Sequence, residues 1–434
     1  MLEDTIKNKE ARIGVVGLGY VGLPVLLAFG KNGFPVLGLD VDGDKVEQLN
    51  CGRSYIHHIP EEEIRSLLET GRFQATTDFS CASGLSAVLI CVPTPLTQHR
   101  EPDMRYIVAT ARALSPHLTA NQLIVLESTT YPGTTRDVLI PELESQTVLR
   151  ANRDFWVAYS PEREDPNNRE FNVSNVPKVI GADHPAGLRL TETLYGAITQ
   201  TTVPIGDTRV AEAAKLMENV FRSVNIALVN ELKVIFDRMG IDIWQVIEVA
   251  KTKPFGYMPF FPGPGLGGHC IPIDPFYLSW KAKEYGIVTR FIELAGEINV
   301  SMPNYVMEKI QSALNQHSKS VRGSRIFVLG VAYKKDVDDD RESVSFKIME
   351  MIEEQGGSVD FHDPYIAVIG DKKEYPHFTG KKRTPLEEMG QYDLTVILTD
   401  HSAYDYDFIV RESRMVVDTR NACRYIQSDK IIKA

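Results

Sequence analysis

A short apolar strand, Arg12 to Val16, runs straight into Gly17-Leu18-Gly19-Tyr20-Val21-Gly22 and then into a helical stretch from Pro24 to Lys31. A second strand, Pro35 to Leu39, ends at Asp40, about 20 residues beyond the glycines. Strand, glycine turn, helix, strand and terminal acid together form a βαβ unit built to hold a dinucleotide. Gly17 makes the turn, Gly19 lets a pyrophosphate approach backbone at the helix N-terminus, and Gly22 lets helix pack on strand. Asp40 is expected to take the ribose hydroxyls, which favours NAD over NADP because the carboxylate would repel the extra phosphate. Tyr20, Val21 and Lys45 are grouped with this cofactor site.

Further strands end in polar loops, where an open α/β sheet places its ligands. Ser86 to Val92 ends in Pro93-Thr94-Pro95. Gln122 to Leu126 ends in Glu127-Ser128-Thr129-Thr130-Tyr131-Pro132-Gly133. Phe155 to Tyr159 ends in Ser160-Pro161-Glu162-Arg163-Glu164-Asp165. Each loop alone reads as ordinary turn chemistry. Hydroxyls and carboxylates at three successive strand ends instead suggest one shared site, with Thr94 and Thr129 toward the cofactor. Cys91 is expected only to pack at a strand end.

From Asp207 or Thr208 an apolar helix of roughly 30 residues runs to Met239 and stops at Gly240, and it is expected to be mostly buried. Lys215 and Asn219 interrupt it one turn apart on one face. A lysine whose stem packs and whose head reaches water, and a lysine held for function, both fit Lys215. A second helix, Ile243 to Ala250, leads to Gly265-Leu266-Gly267-Gly268-His269-Cys270-Ile271-Pro272-Ile273-Asp274-Pro275. Glycines there permit a ligand to approach Cys270 closely, as a nucleophile requires. A tight turn around a small core thiol fits as well. Asp274 before Pro275 suits a helix N-cap and equally a catalytic acid. Helices are expected over Pro275 to Tyr285 and Phe291 to Val300, and so much apolar helix between two sheets points to a subunit interface.

Arg325 to Gly330 repeats the opening of the first unit, and Gly357 to Asp363 repeats Gly33 to Asp40. The second copy lacks the glycine triplet and carries Val331-Ala332-Tyr333-Lys334-Lys335-Asp336 instead. It is expected to bind something other than a second dinucleotide. Lys334, Arg341 and Arg420 suit phosphates at its strand ends, and solvated surface charge suits each of them too. Thr395 to Thr399 and Met415 to Asp418 add two strands. The fold class is therefore α/β, with two Rossmann-like doubly wound parallel-sheet domains (1–206 and 318–434) joined by a central all-helical segment (207–317).

A net charge of -11 argues against a general nucleic-acid or anionic-membrane surface. No apolar run reaches the roughly 18 residues needed to span a bilayer, and residues 1–10 are too polar for a signal peptide, so a cytoplasmic location is expected. Five cysteines without a Cys-x-x-Cys pair suggest neither a disulfide framework nor a metal site.

In order along nearly its whole length, the sequence resembles the UDP-sugar 6-dehydrogenases. The resemblance runs through the glycine fingerprint, Val92-Pro93-Thr94-Pro95, Ser128-Thr129, Ser160-Pro161-Glu162, Lys215 with Asn219, Gly267-Gly268-His269-Cys270 with Asp274, and Tyr333-Lys334 with Asp339 to Ser343. It implies that Cys270 is the catalytic nucleophile, that Lys215 and Asn219 stabilise oxyanions, and that Asp274 with Thr129 positions a water. Glu162 matches an acid at the substrate loop, Gly267 a substrate contact, and Lys334 and Arg420 residues that reach the active cleft from the third domain. Arg290 suits a diphosphate.

The stretches 159–166 and 262–278 look most like the branch that oxidises UDP-N-acetylglucosamine. Ile273 stands where the UDP-glucose branch carries lysine, and Arg163-Glu164-Asp165 replaces its Phe-Leu run to a further glutamate. The resemblance thus implies four-electron oxidation at C6 with NAD, serving surface polysaccharide such as O-antigen or lipopolysaccharide, in a homodimer or higher oligomer. UDP-N-acetylgalactosamine and UDP-glucose are the alternative substrates. A two-electron hydroxyacid or alcohol dehydrogenase, or a non-catalytic nucleotide-sugar binder, would leave the cysteine turn unexplained.

Overall fold

The computed structural model describes residues 2–56, 59–97, 99–163, 170–268 and 271–434. It packs as two compact units, Met1–Glu218 with Phe276–Ile287 and Asn219–Pro275 with Val288–Ala434.

The first unit carries eight strands: β1 Ile13–Val16, β2 Val36–Leu39, β3 Phe73–Thr76, β4 Ala87–Ile90, β5 Leu123–Leu126, β6 Trp156–Tyr159, β7 Lys178–Gly181 and β8 Thr202–Ile205. Their order is β3-β2-β1-β4-β5-β6-β7-β8. β1, β2, β4 and β5 are buried at every position, which explains why they read as unbroken apolar runs rather than alternating ones. The order reverses between β1 and β4, so the switch-point crevice opens beside the glycine turn that follows β1. Every pairing is parallel except β6 with β7, where Tyr159 faces Gly181 in an antiparallel register. That reversal departs from the all-parallel expectation.

In the second unit β9 Arg325–Leu329, β10 Ser358–His362, β11 Leu394–Ile397, β12 Val416–Asp418 and β13 Ile431–Lys433 form a parallel sheet, ordered β10-β9-β11-β12-β13. The helix Thr208–Arg238 begins in the first unit and continues into the second, closing before Gly240 at φ +71°. It is less buried in the single chain than its apolar pattern suggested: Phe221, Leu228 and Ile235 are 49%, 50% and 45% exposed. The helix expected to end at Val300 instead spans Arg290–Gln316 with Pro303 inside it. Proline removes one helical hydrogen bond, but Met302, Pro303, Val306 and Ile310 are all buried, and that packing carries the helix through. No described helix is long and apolar enough to cross a membrane.

Lys233, on the long helix, is only 5% exposed, and its Nζ lies 5.8 Å over the Tyr305 ring. Burial pulls its pKa below the ordinary lysine value. The charged form is therefore disfavoured in the folded state, a cost present in full below the folded pKa and lost as pH rises from there through the higher unfolded pKa. Lys233→Met is expected to raise Tm at pH 7, with the gain over wild type shrinking toward alkaline pH. Thermal unfolding from pH 6 to 10 checks both the sign and the trend.

Candidate active site

The three glycines of the first turn serve three different constraints. Gly17 has φ +88°, and a Cβ there would stand 2.6 Å from the Cys91 carbonyl oxygen. A Cβ on Gly22 would lie 1.9 Å from the Gly17 oxygen, whereas one on Gly19 would meet nothing within 4 Å. Gly19 thus borders open space at the start of the helix Gly22–Lys31. No side chain caps that helix and no acid occupies its first turn. These residues fit a dinucleotide pyrophosphate. Tyr20 and Val21 are half-buried on the turn.

Asp40 is buried, and both of its oxygens already accept backbone bonds: Oδ2 from Leu18 N–H at 2.8 Å and Oδ1 from Asp42 N–H at 3.0 Å. The acid fastens the glycine turn. Lys45 Nζ lies 4.0 Å from Asp40 Oδ2 and 5.9 Å over the Tyr55 ring. Tyr55, which sequence reasoning missed, donates its hydroxyl to the Leu18 carbonyl at 2.5 Å.

The strand-end loops of this unit are tied to one another. Ser128 Oγ donates to the Val92 carbonyl at 2.7 Å, and the buried Tyr277 hydroxyl donates to the carbonyls of Thr94 at 2.8 Å and Pro95 at 3.2 Å. Thr129 is half-buried on this framework. From the long helix, buried Glu212 accepts Gly133 N–H at 2.6 Å and the Thr135 N–H and hydroxyl at 2.9 and 2.7 Å. Burial pushes the Glu212 carboxyl up to about 7 despite those three bonds. Lys215, half-buried, follows one turn later, and Glu218 one turn after that pairs with Arg163 at 2.7 Å. The helix bearing Lys215 thereby grips the Thr129 loop on one side and the Glu162 loop on the other.

Glu162 accepts Arg163 N–H at 2.6 Å through Oε1 and the Lys178 ammonium at 3.2 Å through Oε2. Lys178 also donates to buried Glu127 at 2.9 Å. Neither partner was foreseen as part of a charge cluster. The one available signal was a lone lysine opening an otherwise apolar strand. Cys91 packs beside this cluster, and burial, with Glu127 nearby, pushes its thiol well up, which suits the structural part expected of it.

In the second unit Asn219 Nδ2 donates to Asp274 Oδ2 at 2.5 Å, both residues being buried. Asp274 is the first residue of the helix Asp274–Lys283. His269 and Cys270 lie outside the described residues, as do Glu164 and Asp165. Gly263 N–H donates to Asn230 Oδ1 at 3.0 Å, Asn230 donates to Asn299 at 2.9 Å, and Asn299 donates to the Ser223 carbonyl at 3.2 Å. This buried amide relay was also missed.

The glycines of the turn before Cys270, read both as clearance for a ligand and as a tight turn, lie pressed against the chain itself. A Cβ on Gly265 (φ +140°) would meet Val344 at 2.8 Å, one on Gly267 the Glu342 carbonyl oxygen at 3.0 Å, and one on Gly268 (φ +83°) the Tyr333 ring at 3.0 Å. A Cβ on Gly263 would stand 2.6 Å from Arg420 Nη1, so Arg420 sits against the turn. Its Nε donates to the Leu398 carbonyl at 2.8 Å, and burial pulls its pKa down. Lys334 is half-buried and Arg290 is exposed at the head of its helix. Arg341, offered for phosphates, is instead forked onto Asp339 at 2.9 and 2.7 Å.

The second sheet reuses the first site's acid for a different end. Asp363 Oδ2 accepts Val331 N–H at 2.8 Å and Ala332 N–H at 3.1 Å, as Asp40 does for Leu18. It also meets His401 Nε2 at 3.1 Å, while His401 Nδ1 accepts Asp336 N–H at 2.9 Å. That second bond leaves Nε2 as the donor to Asp363. Histidine and acid are fully buried, so the place of the ribose hydroxyls is filled.

Family models match in chain order: the NAD binding domain of the UDP-glucose/GDP-mannose dehydrogenase family over residues 11–199, its central domain over 209–301 and its UDP binding domain over 327–425. The chain belongs to the UDP-glucose/GDP-mannose dehydrogenase family. It is an NAD-dependent UDP-sugar dehydrogenase with a UDP-binding domain. A UDP-N-acetyl-D-glucosamine 6-dehydrogenase of Pseudomonas aeruginosa is 34% identical over 397 residues, 91% of this chain and 92% of that one. An NDP-N-acetyl-D-galactosaminuronic acid dehydrogenase of Ralstonia nicotianae is 34% identical over 422 residues, 94% and 95% of the two chains. Among solved structures, a UDP-D-ManNAc dehydrogenase from Pyrococcus horikoshii superposes with a TM-score of 0.87 at 31% identity, covering 97% of this chain and 98% of that one.

Asp40 in this dehydrogenase faces two demands, so one substitution should expose both. Asp40→Ala is expected to erode the preference for NAD over NADP and also to lower stability by about 1.5 to 3 kcal/mol, the range for hydrogen bonds to a charged group. Measurement of kcat/KM with each cofactor, alongside Tm, tests it. Unchanged cofactor preference would remove Asp40 from the ribose site.

Proposed function

We propose that this enzyme oxidises UDP-N-acetyl-D-glucosamine at C6 to UDP-N-acetyl-D-glucosaminuronic acid, in two successive two-electron steps carried by Cys270. The observation that carries this reading is the buried Asn219–Asp274 hydrogen bond at the head of the helix that follows the cysteine turn. A buried carboxylate orienting a buried amide there suits oxyanion and water chemistry more than packing. The name of the Pseudomonas aeruginosa relative supports the substrate.

NAD, when bound, would supply the hydride acceptor, a fresh molecule for each of the two oxidations. The Cys270 thiolate adds to the C6 aldehyde left by the first, giving a thiohemiacetal that cannot diffuse away. Loss of a hydride from that adduct leaves a thioester, and water attacks it to release the acid and restore the thiol. Lys215 and the second N–H of the Asn219 amide donate to the oxyanion at each tetrahedral stage, one such donor being worth about 3 kcal/mol of barrier. Asp274 and Thr129 hold the hydrolytic water, and Asp274 takes its proton. Glu162 serves, ionised, at the substrate loop. Gly267 offers backbone to the sugar nucleotide, and Arg420, Lys334 and Arg290 meet its phosphates. Tyr20, Val21, Lys45 and Thr94 line the cofactor. The division at 1–206, 207–317 and 318–434 is proposed with these roles.

Phe221, Leu228 and Ile235 recur every seven residues along the long helix and are all exposed, the pattern of a helix-to-helix seam. Phe291 and Leu294, on the helix Arg290–Gln316, are exposed too. A second copy of the chain covering these faces gives a homodimer or higher oligomer. Surface polysaccharide synthesis is the use proposed for the product.

The substrate is tested by kcat/KM for UDP-N-acetylglucosamine, UDP-N-acetylgalactosamine, UDP-N-acetylmannosamine and UDP-glucose under identical conditions. The first is expected to be highest, and a preference for UDP-glucose would overturn the N-acetyl assignment. Cys270→Ala is expected to abolish acid formation while NAD still binds. Cys91→Ala is expected to keep the chemistry and cost stability through a small cavity.

A further inference from the structure

Strands that run parallel bring their carboxyl ends, and the loops that follow, to one edge of a sheet. A residue at the start of such a strand stands at the opposite edge, far from the chemistry. β7 breaks the rule because it runs antiparallel to β6. Past Tyr159 the chain runs back alongside β7 toward its first residue: Ser160 Oγ donates to the Val179 carbonyl at 2.8 Å and Lys178 Nζ donates to Glu162 at 3.2 Å. The reversal therefore delivers the first residue of β7 to the edge where the loops after β5 and β6 begin.

Around Lys178 the structure is crowded and polar. Its ammonium donates to Glu127 at 2.9 Å, after β5, and to Glu162 at 3.2 Å, after β6. It also lies 5.2 Å over the ring of Tyr195, at the end of the helix Pro185–Tyr195. The Tyr195 hydroxyl donates to the other oxygen of Glu127 at 2.5 Å. Ser160 Oγ is turned to the Val179 carbonyl, and the Cys91 thiol feels both carboxylates and the lysine. Arg163, next to Glu162, sends its guanidinium to Glu218 and the Pro177 carbonyl. Burial pulls the Lys178 pKa down, but Glu127 and then Glu162 outweigh it and raise the ammonium above the ordinary lysine value. Glu127 has no exposed surface while Glu162 is 15% exposed, so of the two acids Glu162 is the one water and substrate can reach.

We propose that Lys178 is a positioning residue for Glu162, a single buried cation divided between a structural carboxylate, Glu127, and the working carboxylate at the substrate loop. The inference rests on the reading of Glu162 as an acid that works in its ionised form. Two carboxylates sharing one ammonium compete for it. Removing the cation makes Glu162 harder to ionise, and removing the competitor makes it easier. Mere support of the fold has no reason to move the two in opposite directions.

The test is the pH profile of kcat/KM for the UDP-sugar at saturating NAD, with full-length wild type, Lys178→Met, Lys178→Arg and Glu127→Gln. The acid limb is expected to move up by about one pH unit or more in Lys178→Met. It should stay close to wild type in Lys178→Arg and move down in Glu127→Gln. A Lys178→Met limb at the wild-type position, a Lys178→Arg limb displaced as far as that of Lys178→Met, or a Glu127→Gln limb that rises or stays in place, would overturn the proposal. Circular dichroism and NAD binding report folding. If Lys178→Met does not fold, Glu127→Gln decides alone, a lowered limb supporting the proposal and any other position overturning it. Wild type that reduces no NAD with any UDP-sugar would refute the proposed function instead, before the variants are compared.

Discussion

Strands buried on both faces leave polar chemistry only their ends. In β1, β2, β4 and β5 every side chain is covered, so hydroxyls, carboxylates and ammonium groups gather in the loops that follow. Loops are the most mobile part of a fold, and chemistry needs them still. Here they are held by buried polar groups brought from distant parts of the chain. Glu212 reaches the Thr129 loop from the long helix, Tyr277 reaches the Thr94 loop, and Lys178 joins the loops of Glu127 and Glu162. Each anchor is costly to bury alone and stable only when fully partnered, which makes these positions intolerant of change.

Asp40 and Asp363 show one geometry turned to two ends. Both carboxylates end the second strand of a βαβ unit and accept the N–H of the glycine turn opposite. Beside Asp40 the turn is open at Gly19. Beside Asp363 the turn carries Val331 and Ala332, and His401 occupies the acid. The second sheet keeps the framework of the first and fills the place beside its acid with His401.

How far this was legible in the sequence depended on whether the partners lay close together in it. The first fingerprint was read correctly because Gly17 to Asp40 is one continuous stretch whose parts constrain each other. The two α/β sheets were legible from their apolar runs, but not the reversal of β7, since a four-residue strand carries no mark of its direction. The crowding of the turn before Cys270 was not legible, because the groups that press on it, Tyr333 and Glu342, lie far along the chain. Asn230 and Asn299 stand 69 residues apart, and only their meeting gives either a purpose.

The central claim is that one thiol holds the substrate between two oxidations, so that the aldehyde never leaves. The most direct measurement is the amount of NADH formed per mole of uronic acid in a complete wild-type reaction, with a carbonyl trap present to capture any free aldehyde. Covalent retention predicts two NADH per acid and an empty trap. One NADH per sugar consumed, with trapped aldehyde in matching amount, would contradict it.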